Sequence, residues 1–541
     1  MKKITRLLAL VLCLVLVAGI FAGCGKEAKK VQTGSSFTYW VTMSSTAAQT
    51  ITSYNELLMY QEMERITGTK VKFIHPAAGS TGTEAFQILL SSGDYPDMIE
   101  YAWNKYAGGP QQAINDGVII AINDYMKDYA PNYYDWMEGE KGKENNYLYK
   151  AQSLTEEGNY FGFRNMNIGD YRAFNGLYIR KDKLDEWGLD VPTTIDDWTE
   201  VLDAAKKNGF KAPLTGTSAL FGITGTELFN NAWGVAKDWY VENGKVKYGP
   251  FEKSYKDYVA KMADWVKKGY VDIDYITNDN TNVLGYMTNG HSIATVGMVG
   301  SGMGKVIPAM LERDKNFKIV ACPFPVLKEG DIAKFQTVQG EAIDNTLAIS
   351  VQCGIDNEER YKEAVQWCDY VYGEEGNILK CFGVEGDTFT VEKDENGEDH
   401  YVYTDKIYNA EDIGAHSVDA ALWHYFRPAN SPGLNQHPDY LKGFYPYEEQ
   451  MDAIVLWNKN TDLAKSHAYP PVNYTGEESA KKAQIEAAAL SNLDAAISNI
   501  ILGKASMDDY DKAIKTAKKS GYSDLLKIQQ AAYDRYIDSI K

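Results

Sequence analysis

Hydrophobic positions fall into three patterns along this chain. The first is an uninterrupted apolar run from Leu7 to Ala22, behind Lys2, Lys3 and Arg6. A basic start followed by a short apolar core predicts an export signal, because the run is too short for a comfortable membrane span. The second pattern is strand alternation interleaved with helical periodicity. Residues 37–40 alternate as a first strand, 55–67 predict a helix, and 70–74 a second strand. An amphipathic helix over 83–92 then leads through Gly93-Asp94-Tyr95-Pro96-Asp97 into an apolar strand at 98–101. The same alternation returns with a strand at 176–180, a helix through 184, and a helix at 194–207 that Thr194 caps. Strands separated by helices of this length predict parallel βαβ units.

The third pattern is punctuation. Asn243-Gly244 separates Trp239-Tyr240-Val241 from Val246-Lys247-Tyr248, and Asn396-Gly397 separates Phe389-Thr390-Val391 from Tyr401-Val402-Tyr403. Asn-Gly between alternating apolar residues predicts a β-hairpin. Thr475-Gly476-Glu477-Glu478 and Ser506-Met507-Asp508-Asp509 have capping-box form, and Gly503 and Gly521 punctuate a helical C-terminus. No solenoid-length repeat is visible.

Composition narrows the class. With 44% hydrophobic and 24% charged residues the chain reads as an ordinary globular protein, and 541 residues suffice for two or three domains. No later apolar stretch approaches the roughly 20 residues that cross a bilayer. The formal charge of −19 becomes more negative once the three basic residues of the signal leave, which excludes a nucleic-acid partner. Cys322, Cys353, Cys368 and Cys381 show no metal-ligand spacing. They can pair in three ways or remain buried thiols, and a core this large needs no staples.

Phe21-Ala22-Gly23-Cys24 resembles the bacterial lipobox, with Phe21 where an aliphatic residue is usual. That resemblance implies cleavage after residue 23 and a lipidated Cys24. Residues 24–36 then read as a flexible tether. A more specific likeness follows. Thr67-Gly-Thr-Lys-Val-Lys-Phe73 and Leu89-Leu-Ser-Ser-Gly-Asp-Tyr-Pro-Asp-Met-Ile99 resemble the first lobe of extracellular solute-binding protein family 1, in its large lipoprotein branch serving oligosaccharide ABC importers. Gly176–Asp182 with Leu189–Thr194, Tyr372–Gly376 with Gly383–Gly386, and Gly521–Tyr536 resemble later segments of that family in the expected order. Several such proteins carry an Asp/Asn/Gly-rich calcium loop after the segment equivalent to 194–207. Here that stretch is Asn208-Gly-Phe-Lys-Ala-Pro213, without carboxylates, so no calcium is expected there.

Catalytic and metal motifs are weak. The seven histidines form no HExxH or similar ligand spacing, and no GxSxG stands out. Gly297-Met-Val-Gly-Ser-Gly-Met-Gly-Lys305 suggests a phosphate loop but has Val299 at its first glycine position and Val306 in place of Ser/Thr. It predicts a strand-to-helix turn, with Ser301 offered to the cleft by the resemblance. Asp394–Asp399 has its glycine misplaced for a calcium loop and predicts a hairpin tip. Neither a cofactor nor a metal is expected.

Aromatic residues are abundant, with 38 tyrosines and 11 tryptophans. Sugar C–H faces rest on flat rings, and ligands in open α/β sheets meet the carboxyl ends of strands. Trp40 and Trp103 follow predicted strands, Trp233 lies in the polar stretch Phe229-Asn-Asn-Ala-Trp-Gly234, and Trp423 precedes Arg427. These four, with Arg164, Asn165, Ser301 and Arg427, are the candidate ligand contacts, core packing or an ion pair being the alternative for each. Trp187 and Trp198 lie on apolar helix faces and read as core.

The expected architecture is α/β and type II periplasmic-binding-protein-like: two α/β lobes joined by crossing strands, with a helical C-terminus. Residues 37–178 and 344–425 would build mainly the first lobe, and 179–343 and 426–541 mainly the second, with crossings near 175–183 and 339–349. The resemblance implies a lipid-anchored monomer on the extracellular face of the membrane. It would capture an oligosaccharide between its lobes and deliver it intact to an ABC permease. A secreted glycosidase, a binding protein for a peptide or other solute, and a sensory partner of a membrane receptor are the alternatives.

Overall fold

The computed structural model describes residues 34–77, 81–222, 225–340, 342–429 and 431–540. The expected signal at 1–23 and Cys24 lie outside them, as does most of the tether.

Two sheets organise the chain. The first contains β1 (Ser36–Trp40), β2 (Lys70–Ile74), β3 (Met98–Ala102), β4 (Phe163–Asn167), β11 (Ala342–Ile349) and β14 (Gly433–Asn435), in the order β14-β4-β11-β3-β1-β2. The second contains β5 (Asn175–Arg180), β6 (Leu214–Thr215), β9 (Ala294–Met298) and β10 (Ile319–Ala321), in the order β10-β5-β9-β6. β1 pairs parallel with β2 and β3, as the βαβ reading predicts, and Ser36 lies opposite Lys70. β11 instead runs antiparallel to both β3 and β4. A strand arriving from the other lobe enters at the shared edge. It therefore runs opposite to strands that end there.

The chain changes sheet at 168–174, at 322–341 and again after helix Pro438–Phe444. The first change comes before the expected 178/179 division, because β5 already pairs wholly within the second sheet. β14, in the segment assigned mainly to the second lobe, pairs with β4 of the first. Helix Glu448–Trp457 then packs on β10, and the Trp457 Nε1–H donates to the Cys322 carbonyl at 2.9 Å. Gly176 on β5 is required by this packing, since a Cβ there would lie 2.3 Å from Trp457 Cε2.

Local signals explain most elements. Thr194, Thr475 and Ser506 each close a capping box with the acid three residues on. The helix expected from residue 55 begins instead at Leu58. Ser53 caps a separate turn at Tyr54–Glu56, and Leu57 is extended. β7 (Trp239–Glu242) and β8 (Lys245–Tyr248) form a two-residue hairpin with Asn243 at φ 52° and Gly244 at φ 73°. Between β12 (Phe389–Lys393) and β13 (Asp399–Tyr403) the loop is wider. There Asp394 Oδ1 accepts the Asn396 and Glu398 N–H groups at 2.8 Å, so Asn-Gly is not a two-residue turn.

Helix Ser491–Ile501 packs on Lys253–Lys267, and Ser523–Ser539 lies along β8, so the C-terminal helices cover the second lobe. Cys322, Cys353, Cys368 and Cys381 are buried free thiols, and burial pushes each upward in pKa. Among the described residues no helix is long and apolar enough to cross a membrane.

Candidate functional site: the inter-lobe cleft

Strand direction sets the site. Asn345 lies opposite Ala102, Ala342 opposite Met166, and Asn435 opposite Asn167. The carboxyl ends of β1–β4 and β14 therefore share one edge with the start of β11. In the second sheet the start of β5 lies opposite the end of β9, Asn175 against Met298. Because 168–174 is short, these two edges meet across the crossings.

A polar floor forms where the crossings converge. Gln339 Oε1 accepts from Asn167 Nδ2 at 3.1 Å and from Gln436 Nε2 at 2.9 Å, while the Gln339 N–H donates to the Arg172 carbonyl at 2.9 Å. Arg172 Nη2 donates to the Asn167 carbonyl at 3.1 Å. Gln436 holds this position in left-handed backbone, at φ 64°. Asn167 Oδ1, Arg172 Nε, Asn175 Oδ1, Gln336 Oε1 and Gln436 Oε1 are buried without a hydrogen-bond partner among the described residues. Buried polar atoms are normally satisfied, so the unpartnered atoms of Asn167, Arg172 and Gln436, linked through Gln339, and of Asn175 at the start of β5 have hydrogen-bonding capacity left for a polar ligand.

Two cavities lie close to this group along the chain, and of the polar group only Asn175 lines one of them, the smaller. One of about 560 Å³ is bounded by Lys305, Pro308 and Glu312 of the second lobe, by His416 and Asp419 of the first, and by Phe444 and Tyr447. Thr46 Oγ1 donates to Asp419 Oδ2 at 3.5 Å. Burial raises the Asp419 carboxyl in pKa, and Lys305 across the cavity and the Trp423 hydrogen bond oppose that rise. The second cavity, about 220 Å³, is walled by Asn175, Tyr178, Thr217, Met298 and Ser301. Ser301 belongs to the strand-to-helix turn expected at 297–305. β9 passes into a helical turn at Val299–Met303 and then into helix Gly304–Leu311.

The eight candidate contacts separate clearly. Ser301 lines the smaller cavity and Trp423 reaches Asp419, whereas Trp233 lines neither cavity and is half-buried against the core, with its ring 5.7 Å from that of Tyr258. The others point into the lobe interior. Trp103 is 0% exposed and donates Nε1–H to the Thr346 carbonyl at 3.2 Å. Trp40 is buried against Phe86. Arg164 bonds Thr346 Oγ1 at 2.7 Å, and Asn165 Oδ1 accepts from Asn435. Arg427 is held by Glu100. Trp40 and Trp103, at and just after strand ends, still belong to the sheet's packing layer; Arg164 and Asn165 lie within β4, and Arg427, after helix Val418–Tyr425, is drawn inward by the Glu100 carboxylate.

Sequence reasoning missed Arg172, Asn175, Gln339 and Gln436. The available signal was the run of amides and guanidinium immediately beyond β4, before β11 and after β14, in segments too extended to hide them. Among the described residues, no three His, Cys, Asp or Glu side chains are grouped to hold a metal ion.

Comparison with known proteins adds an independent line. The family model described as bacterial extracellular solute-binding protein matches residues 47–378. Lipoprotein LipO of Bacillus subtilis is 22% identical over 529 residues, covering 95% of this chain and 96% of that protein. The fructooligosaccharide ABC transporter substrate-binding protein FusA of Streptococcus pneumoniae is 24% identical over 517 residues, covering 89% and 87%. The crystal structure of the alginate-binding protein AlgQ2 without calcium ion superposes with a TM-score of 0.70 at 20% identity. It covers 94% of this chain and all of that one.

Proposed function

This chain belongs to the bacterial extracellular solute-binding proteins, and from that premise we propose that it is the substrate-binding lipoprotein of an oligosaccharide ABC importer. The observation that carries the reading is the cleft floor. Unspent buried polar atoms on Asn167, Arg172, Asn175 and Gln436, where the 168–174 crossing meets the end of β14, suit a ligand rich in hydroxyls. Relatives named for fructooligosaccharide and alginate binding support a carbohydrate.

The ligand would lie between the lobes. Asn167, Arg172, Asn175, Gln336 and Gln436 would meet hydroxyls, while Trp233, Trp423 and Ser301 would complete the walls. A sugar that contacts both lobes binds the closed arrangement better than the open one and shifts the population toward it. A permease would then receive the closed form, with hydrolysis of ATP on a separate chain.

Cleavage after residue 23, lipidation of Cys24 and a tether over 24–36 would hold this monomer on the extracellular face of the membrane. Capture would leave the sugar chemically unaltered.

Isothermal titration against gluco-, manno-, xylo-, galacto- and fructo-oligosaccharides, with chromatography of the recovered sugar, tests the proposal. Saturable binding of at least one sugar, recovered intact, is expected. Silence across the panel would defeat the carbohydrate assignment, and shortened products would make the protein a glycosidase.

A further inference from the structure

The two cavities beside the cleft floor differ in charge. Lys305, Glu312 and Asp419 bound the larger one, whereas among the described residues no charged side chain lines the smaller one, of about 220 Å³. Neither Arg172 nor Lys305 belongs to its wall.

That wall combines apolar and polar groups from different elements. Helix Asn280–Thr288 contributes Val283 and Leu284, and helix Gly304–Leu311 contributes Val306. β5 contributes Asn175 and Tyr178, and the turn after β9 contributes Ser301. Asn175 Nδ2 donates to Thr226 Oγ1 at 2.9 Å, which leaves Oδ1 buried and unbonded among the described residues. Gly297 and Gly302 leave room for the Tyr178 hydroxyl, since a Cβ on them would lie 3.2 Å and 3.1 Å from that oxygen.

These properties select a ligand chemistry. An uncharged sugar ring has C–H faces for the apolar wall and hydroxyls that both donate and accept. A buried acceptor such as Asn175 Oδ1 needs a donor, which a hydroxyl supplies and a carboxylate lacks. A carboxylate moved into this cavity would lose its water and find no cation, a cost that a neutral hydroxyl avoids. The volume lies below the roughly 300–1,000 Å³ of pockets that enclose drug-sized ligands, so it suits one sugar unit rather than a chain. Resting on the oligosaccharide reading above, we propose that the smaller cavity is the subsite that sets charge selectivity, seating an uncharged sugar unit and rejecting a uronate. The ligand class is therefore a neutral oligosaccharide.

The test titrates the mature chain calorimetrically with gluco-, manno-, xylo-, galacto- and fructo-oligosaccharides, together with trimannuronate and trigalacturonate. The tightest sugar should be uncharged, and both oligouronates should bind at least about tenfold more weakly than it. That ratio should persist in about 1 M NaCl, where a Debye length of about 3 Å screens the repulsion of the acidic chain as a whole. Ser301→Arg should occupy part of the cavity with a guanidinium, weaken the tightest uncharged sugar at least about tenfold and narrow the gap to the oligouronates. If that variant does not fold, Asn280→Arg does the same from an exposed lining position. An oligouronate that binds as tightly as the best uncharged sugar, or a preference that vanishes in high salt, would overturn the proposal and leave the carbohydrate reading standing. Undiminished affinity for the uncharged sugar in a folded arginine variant would do the same. Silence toward every sugar, charged or uncharged, would overturn both.

Discussion

Arg427 and Glu100 meet in a two-pronged ion pair, Nη1 to Oε2 and Nη2 to Oε1, both at 2.8 Å, with side chains 3% and 2% exposed. Tyr39 donates to the same carboxylate at 2.7 Å, and the Tyr54 ring lies 4.7 Å from the guanidinium. The pair fastens the segment after helix Val418–Tyr425 to β3, deep in the first lobe.

Breaking such a pair on one side strands a charge in a dry interior. Arg427→Met should therefore destabilise the protein by about 3–5 kcal/mol in urea unfolding. Replacing both partners, Glu100→Leu with Arg427→Met, should restore much of that loss, since two apolar groups need no solvation. A single substitution costing under about 1 kcal/mol would mean that water reaches the site.

At the cleft floor, Gln339 is the acceptor shared by Asn167 and Gln436. Gln339→Ala should lower oligosaccharide affinity about tenfold, because the two amides lose the bond that orients them. Calorimetric titration paired with a melting curve checks this. Unchanged affinity with a depressed melting temperature would assign Gln339 to structure alone.

Much of the fold was legible because its signals are local. Residues 70–74 match β2, Thr194 caps its helix, and Asn243-Gly244 turns β7 into β8. The antiparallel entry of β11 was not legible, since it depends on which lobe the chain arrives from. The candidate site divides in the same way. Ser301 follows from the turn at 297–305, whereas whether Trp103 or Arg427 faces ligand or core depends on Thr346 and Glu100, hundreds of residues away. The cleft amides were not legible because an unsatisfied hydrogen bond depends on tertiary neighbours, whereas aromatic residues are visible along the chain.

Two tryptophans separate packing from binding. Trp103 is enclosed, with its ring 5.4 Å from that of Phe86, so Trp103→Ala should cost about 3–5 kcal/mol by cavity formation. Ligand affinity should fall only as far as the fold is lost. Trp233 is half-buried, so Trp233→Ala should cost less stability and weaken sugar binding in the still-folded protein. Parallel unfolding and titration of the two variants decides the matter, and reversed effects would exchange their roles.

The hairpin β12–β13 carries a charge that depends on pH. His400 Nδ1 lies 2.7 Å from Asp439 Oδ1 and its Nε2 lies 3.7 Å from Asp394 Oδ2. The Asp439 hydrogen bond and charge raise the imidazole in pKa above the ordinary histidine value, with Lys442 opposing them. The folded state thus holds its proton more tightly than the unfolded one. The pair's stabilisation is full below the unfolded histidine pKa of about 6.5 and is lost as pH rises through the higher folded value. Proton NMR titration of the His400 ring should show a midpoint above 6.5, and Asp439→Asn should lower it. A His400 midpoint that does not move in Asp439→Asn would show that the carboxylate does not set it.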